Sequence, residues 1–71
     1  MKPIIYNLKD EDYIELLKLL KLLGLVGTGG EAKIRIEAGE VIVNGNVEYR
    51  KRNKLRSGYR IEFGGQVIFV K

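Results

Sequence analysis

Several residue types that carry enzyme chemistry are missing from this chain of 71 residues. It has no cysteine and no histidine, and its aliphatic hydroxyl groups are limited to Ser57 and Thr28. Neither a Ser-His-Asp triad nor a Cys-His pair can therefore form, and a zinc site would have to consist of carboxylates alone. Disulfide bonds are excluded as well. We predict a protein that is not an enzyme and that needs no metal and no cofactor.

Long apolar runs are also missing. No stretch approaches the roughly 18 apolar residues that a membrane span requires, and residues 1–7 lack the apolar segment and cleavage site of a signal peptide. We therefore expect a cytoplasmic protein that does not associate with membranes. The adjacent acids Asp10, Glu11 and Asp12 leave carboxylate-pair hydrolysis formally open, but acids in a row are typical of a helix start, where the helix dipole stabilises negative charge.

Positive charge is in excess, and the excess is concentrated in the second half of the chain. The net charge is +4. Residues 1–32 contain four lysines against five acids, whereas residues 33–71 contain nine lysines and arginines against four acids. An uneven charge distribution of this kind indicates a polyanionic partner.

The first part of the chain predicts a short edge strand and a helix. Residues 3–8 are mostly apolar and carry proline at the start, where a missing N–H group is tolerated in an edge strand. The leucine spacing then predicts a helix that begins at Asp10 or Asp12, runs to about Leu23 and has one broad apolar face. Gly24 is expected to end it, because glycine adopts the left-handed conformation found after helices.

A second helix is predicted over residues 29–38, and its start resembles a capping box. The Thr28 hydroxyl should accept the Glu31 amide, and the Glu31 carboxylate should return to the Thr28 amide. Side chains four residues apart on a helix are neighbours. Two ion pairs are therefore expected along this helix, Glu31–Arg35 and Lys33–Glu37.

The remainder of the chain predicts strands and turns. Asn44-Gly45 between two apolar stretches is a strong signal for a two-residue hairpin. The predicted strands are residues 41–43, 46–49, 59–63 and 66–70, the last two joined by Gly64-Gly65. Helices followed by strands indicate an α+β fold, with two packed helices followed by a small antiparallel sheet. We predict a single domain over residues 1–71.

Residues 50–56, which we call the basic loop, are the densest feature of the sequence. Five of these seven residues are cationic and none is acidic. Such a run is either a solvated surface or a site for a polyanion, since like charges repel unless an anion relieves them. Tyr49 and Tyr59 flank the loop and are candidates for stacking on bases, although aromatic residues in strands more often serve packing.

The predicted start of the second helix is the other candidate anion site. Thr28-Gly29-Gly30 leads into a helix that carries Lys33 one turn in, and free N–H groups beside glycines allow a phosphate to approach closely. The alternative is a well-capped turn between helices. The segment is not a Walker loop, because the Gly-Lys-Ser/Thr ending is absent, and no strand leads into it as in a dinucleotide fold.

Two stretches of the chain carry a recognisable pattern. One is Thr28-x-x-Glu31-Ala32 with Ile36, and the other is Ala38-Gly39-x-Val41-x-Val43-Asn44-Gly45. Both resemble the S-four-type RNA-binding domain, which is found in a small-subunit ribosomal protein, pseudouridine synthases and tyrosyl-tRNA synthetases. Its small stand-alone bacterial branch is similar further along, in Glu48-x-Arg50-Lys51-Arg52-x-Lys54-Leu55 and Gly58. Thr28-Gly29 departs from the Ser-Arg usual in the wider family. The resemblance covers about residues 13–69.

The resemblance implies the alpha-L motif, with structured RNA against the second helix and the loop that follows. The RNA would be ribosomal or transfer RNA, with ribosomal subunits as a candidate partner, and it would be bound by a monomer. Carried over by position, the contact set is Thr28, Gly30, Lys33, Arg50, Lys51, Arg52 and Lys54, with Arg35 and Arg56 as flanking charges. Two alternatives remain open: an adaptor for proteins in ribosome assembly or regulation, and a DNA-binding accessory protein.

Overall fold

The computed structural model describes residues 2–71, which form nine short elements. They follow in the order β1 (Ile4–Tyr6), β2 (Ile14–Glu15), α1 (Leu16–Leu22), α2 (Gly29–Glu37), β3 (Ile42–Val43), β4 (Asn46–Val47), β5 (Lys54–Leu55), β6 (Arg60–Phe63) and β7 (Gln66–Val70). The predicted α+β class is confirmed. Within the described residues, neither helix has the length and apolar character needed to cross a membrane.

The larger sheet has five strands in the order β1-β7-β6-β3-β4. The predicted hairpin joins β3 to β4, and both of its turn residues have positive φ, 51° at Asn44 and 87° at Gly45. β1 is the expected edge strand, but it pairs with β7 in parallel, so the sheet is mixed rather than wholly antiparallel. A parallel pair needs a long connection, and the two helices and five intervening strands supply it.

A second sheet of two strands, which the sequence did not indicate, displaces the start of the first helix. β2 pairs antiparallel with β5, with Ile14 opposite Leu55. Glu15 is extended (φ −72°, ψ 143°), and α1 begins only after it. The predicted helix start at Asp10 or Asp12 is therefore wrong. The long-range pairing, with both apolar partners buried, outweighs the local helical pattern at this position.

Both helices end in the same way, and Gly24 and Gly39 explain it. They have φ values of +70° and +81°, which side chains rarely adopt. At the end of α1 the Leu25 amide donates to the Leu20 carbonyl and the Gly24 amide to the Lys21 carbonyl. These two bonds define a Schellman motif, and the residues around Gly39 repeat it. The predicted helix ends are thus confirmed.

The core lies between the helices and the inner face of the five-stranded sheet. α1 contributes three fully buried leucines, and α2, which packs against α1, contributes Ala32 and Ile36. The other buried side chains of this cluster are Leu8, Ile14, Val26, Val41, Val43, Leu55, Ile61, Phe63, Ile68 and Val70. Leu55 is completely buried, so the apolar residue within the basic loop anchors that loop to the core.

Candidate nucleic-acid interface

The basic loop follows β4 and includes β5, so part of it is a paired strand rather than a free surface loop. Its first half is a turn centred on Lys51 and Arg52, and its second half contains β5. The side chains of Arg50, Arg52, Lys54 and Arg56 are exposed and that of Lys51 is half-buried. Five cations are thus arranged along a segment whose backbone is ordered by pairing with β2.

The N-terminus of α1 holds the basic loop through the backbone. The Leu16 amide donates to the Asn53 carbonyl at 3.0 Å, and the Leu17 amide donates to the Lys51 carbonyl at 2.9 Å. The first N–H groups of a helix have no partner within the helix, and Glu15 forms no side-chain cap. The loop carbonyls therefore cap α1, and α1 in turn determines where the loop lies.

Glu48 organises the first half of the basic loop. Its carboxylate accepts Arg50 Nε at 2.9 Å and Asn53 Nδ2 at 2.9 Å, and it also accepts the Arg50 backbone amide at 3.0 Å. The hydrogen bond from the Arg50 side chain is the main reason why the pKa of Glu48 lies below its ordinary value, although partial burial opposes the shift. The same pairing raises the pKa of Arg50. Arg50 is therefore engaged within the protein.

Tyr13 supports the second half of the basic loop. Lys54 Nζ lies 5.0 Å from the centre of the Tyr13 ring, and the Arg56 guanidinium carbon lies 5.5 Å from it. Cations at this distance are attracted by the ring quadrupole. Tyr13 is thus the support on which two candidate contact residues rest.

An open groove follows the basic loop to the C-terminal end of α2. It is lined by Glu37, Tyr49, Arg50, Lys51, Arg52, Asn53 and Lys54. Tyr49 is 60% exposed, whereas Tyr59 is half-buried against the core. Of the two aromatic residues considered for stacking, only Tyr49 is largely exposed, although its ring lies beside Gly39, and Tyr59 fits the packing alternative.

The start of α2 is capped, but one bond of the predicted capping box goes elsewhere. The Glu31 amide donates to the Thr28 hydroxyl oxygen at 3.1 Å, as expected. The Glu31 carboxylate accepts the Gly27 amide at 2.7 Å rather than that of Thr28. Gly30 is exposed and an added Cβ there would touch nothing closer than 3.8 Å. The expected Glu31–Arg35 pair forms at 3.5 Å; within residues 2–71, Lys33 and Glu37 do not form one.

Arg35 is separated from the other members of the contact set. Its Nε atom donates to Glu40 at 2.6 Å, its Nη1 atom lies 3.5 Å from Glu31, and its guanidinium carbon lies 4.9 Å from the centre of the Phe63 ring. These contacts tie α2 to the sheet and occupy much of the guanidinium. Arg35 is geometrically a structural residue, in contrast to exposed Lys33.

The two candidate segments lie at opposite ends of α2. Nine helical residues span about 13 Å, with Thr28 before the first turn and the groove beside the last. Gly30, Lys33 and Glu37 are spaced three and four residues apart, so they follow one stripe of the helix. This stripe leads from the helix start to the groove and joins the two segments into one elongated face.

Glu48 and Asn53 are the site residues that sequence reasoning missed. Neither is cationic, so a search for phosphate-binding side chains passes over them. The signal available was the position of Glu48 two residues before a run of cations, where an acid is expected either to weaken the site or to organise it.

The two helices and the sheet have the arrangement of the alpha-L motif, which is typical of small RNA-binding modules. The model of the S4 domain family matches residues 6–71. This chain belongs to that family.

Similar proteins have the same size and fold. YbcJ of Escherichia coli (strain K12), whose name describes a candidate RNA-binding protein, is 42% identical over 65 residues, which cover 92% of this chain and 93% of YbcJ. YbcJ of Shigella flexneri, named as uncharacterized, is equally similar. The solution structure of YbcJ from E. coli is described as containing an alpha-L motif involved in RNA binding. It is 38% identical, covers 99% of this chain and 89% of that one, and gives a TM-score of 0.74.

Proposed function

We propose that this protein binds structured RNA and catalyses no reaction. The observation that carries the proposal is the arrangement of Arg52, Lys54 and Arg56, three cations that are exposed and free of ion pairs within the described chain. Lysine and arginine bind phosphates, and arginine does so with two parallel hydrogen bonds. The family and the names given to the YbcJ relatives support the same function.

The proposed interface is the stripe of α2 together with the basic loop. Thr28, Gly30 and Lys33 would lie along the sugar-phosphate backbone at one end, and Lys51, Arg52, Lys54 and Arg56 at the other. Contacts to phosphate position a protein on RNA without reading the bases. Shape should therefore matter more than sequence, as for structured RNA in general.

Ribosomal or transfer RNA is the proposed target class, bound by a monomer in the cytoplasm, with ribosomal subunits as candidate assemblies. These RNAs are folded and compact, which suits a face that contacts backbone at two points about one short helix apart. Duplex DNA offers the same phosphate charge with a different groove geometry. Competition between duplex DNA and hairpin RNA at equal salt separates the two.

The proposal is tested by binding to bulk ribosomal RNA and to a hairpin RNA at several salt concentrations. Wild-type protein is compared with a variant in which Arg50, Lys51, Arg52 and Lys54 are changed to alanine. Each phosphate contact contributes about 0.7–0.9 log units of affinity per tenfold change in salt. The variant should remain folded, bind weakly and have a shallower salt dependence. Equal binding by both proteins would contradict the proposal and favour a protein adaptor, to be sought with an acidic partner.

A further inference from the structure

A carboxylate lies beneath the most cationic part of the molecule. The side chain of Glu48 is only 13% exposed, while that of Arg50 is 78% exposed. An acid this close to a proposed RNA site is expected to repel phosphate, so its presence needs a structural explanation. The hydrogen bonds of Glu48 provide one.

The bonds of Glu48 close the turn at the start of the basic loop. One carboxylate oxygen accepts the amide and Nε of Arg50, and the other accepts Asn53 Nδ2 and, at 3.3 Å, Arg50 Nη2. The Asn53 amide also donates to the Arg50 carbonyl at 3.1 Å. The two ends of the turn, at Arg50 and Asn53, are thus joined through one side chain, and Lys51 and Arg52 form the tip between them.

Three cations nearby take no part in this network. Lys51, Arg52 and Lys54 form no ion pair within the described part of the chain. The Glu48 carboxylate is hydrogen-bonded to Arg50, which lowers the pKa of Glu48, so its negative charge is matched by Arg50 and not by these neighbours. Arg50 therefore shapes the loop, whereas the other three cations remain available for contacts to phosphate.

Resting on the proposed RNA binding, we propose that Glu48 is a positioning residue of the RNA site, which closes the basic loop through Arg50 and Asn53 and so directs Arg52, Lys51 and Lys54 toward phosphate. Arg50 then acts mainly through Glu48 rather than through RNA. Arg50 and its neighbouring cations would thus have different roles, although they carry the same charge.

The direction in which a substitution changes RNA affinity distinguishes a positioning role of Glu48 from a purely electrostatic one. Removing an acid from a basic surface strengthens RNA binding if the acid acts only as a charge. Glu37 lines the same groove, is exposed, and takes part in no side-chain hydrogen bond or ion pair within residues 2–71. Glu37→Gln is therefore the matched control, and we expect it to tighten binding to a hairpin RNA by about two- to threefold, as for a partly screened surface charge.

Glu48→Gln should do the reverse. It keeps the size of the side chain but removes the charge-assisted bonds, which are stronger than neutral ones. We expect binding to the same hairpin RNA, measured by fluorescence anisotropy at one salt concentration, to weaken about tenfold. Amide hydrogen exchange of residues 49–54 should become faster in this variant and stay unchanged in Glu37→Gln. A Glu48→Gln variant that binds as tightly as the wild type, or more tightly, overturns the positioning role.

Asn53→Ala gives a second test that alters no charge. It removes only the bond from Nδ2 to Glu48, so a site that depends on charge alone would bind RNA unchanged, whereas a positioned loop should bind about three- to tenfold more weakly. This variant decides the question if Glu48→Gln fails to fold. A wild-type protein that binds no hairpin RNA would instead overturn the proposed function, which distinguishes that failure from a failure of the role of Glu48.

Discussion

The start of α2 and the basic loop belong to the same proposed face, yet they are held in different ways. At the start of α2, Thr28 caps the Glu31 amide three residues on, and Glu31 returns to Gly27 four residues back. The basic loop has local bonds of its own, from Glu48 to Arg50 and Asn53, but it is also held by the Leu16 and Leu17 amides of α1, which lie far away in sequence. The start of α2 is thus ordered by neighbouring residues alone, whereas the basic loop also depends on the rest of the fold.

The two regions should therefore respond differently when the tertiary structure is destabilised. A local cap should survive when tertiary structure loosens, because its partners remain neighbours along the chain. The basic loop should lose its shape together with the β2–β5 pairing. Any treatment that disturbs the core is therefore expected to affect the loop first and the helix start less.

The largest effect is expected from Leu55→Ala, which removes the buried anchor of the basic loop. A fully buried leucine typically stabilises a protein by about 2–5 kcal/mol relative to alanine. Urea denaturation should show a loss in this range, with faster amide exchange in residues 50–56. Leu22→Ala, at a side chain that is 66% exposed, is the control and should change stability by less than about 0.5 kcal/mol. Similar results for both variants would contradict the anchoring role.

A smaller effect is expected from Thr28→Ala at the other region. Loss of an N-cap hydroxyl typically costs about 1 kcal/mol, and Thr28→Ser should retain most of the stability because it keeps the oxygen. Amide exchange should increase only around residues 28–31. If exchange in the basic loop rises equally, the two regions are not independently held.

Substitutions of Arg35 and Arg52 test which arginines contact the RNA. Arg52→Gln should reduce the dependence of affinity on salt by one contact, about 0.7–0.9 log units per tenfold change in salt. Arg35→Gln should leave that slope unchanged and cost up to about 1 kcal/mol of stability, since it removes half-exposed ion pairs and a contact with Phe63. An equal decrease in slope for both variants would return Arg35 to the contact set.

The smallest effect concerns pH and Glu48. Its folded pKa is lowered from the ordinary value of 4.5, so the stability that it contributes is present above about pH 4.5 and is lost as the pH falls through the folded pKa. Stability should be measured by urea denaturation between pH 7 and pH 3. The difference between wild type and Glu48→Gln should narrow at the acidic end. A constant difference would show that Glu48 does not stabilise the fold as a charge.

Much of the fold could be predicted because its signals are local. The Asn44-Gly45 turn, the glycines that end both helices and the Thr28 cap each depend on residues within a few positions of one another. The start of α1 could not be predicted in this way. Tyr13 continues the helical spacing of apolar residues toward Asp12, but Ile14 pairs with Leu55 across the molecule. A window along the chain does not reveal this pairing.

The features of the candidate site can be separated in the same way into those that the sequence predicts and those that depend on the fold. The sequence by itself determined that residues 50–56 are cationic, that α2 begins at a cap, and that histidine and cysteine chemistry is absent. Only the tertiary structure decided that Arg35 is engaged by Glu40 and Phe63, that Arg50 belongs to Glu48, and that Tyr13 supports Lys54. The type and charge of a side chain are properties of the residue alone. Whether that charge is free for a partner depends on which neighbours the folded backbone places beside it, some close in sequence, as Glu48 is to Arg50, and others distant, as Tyr13 is from Lys54.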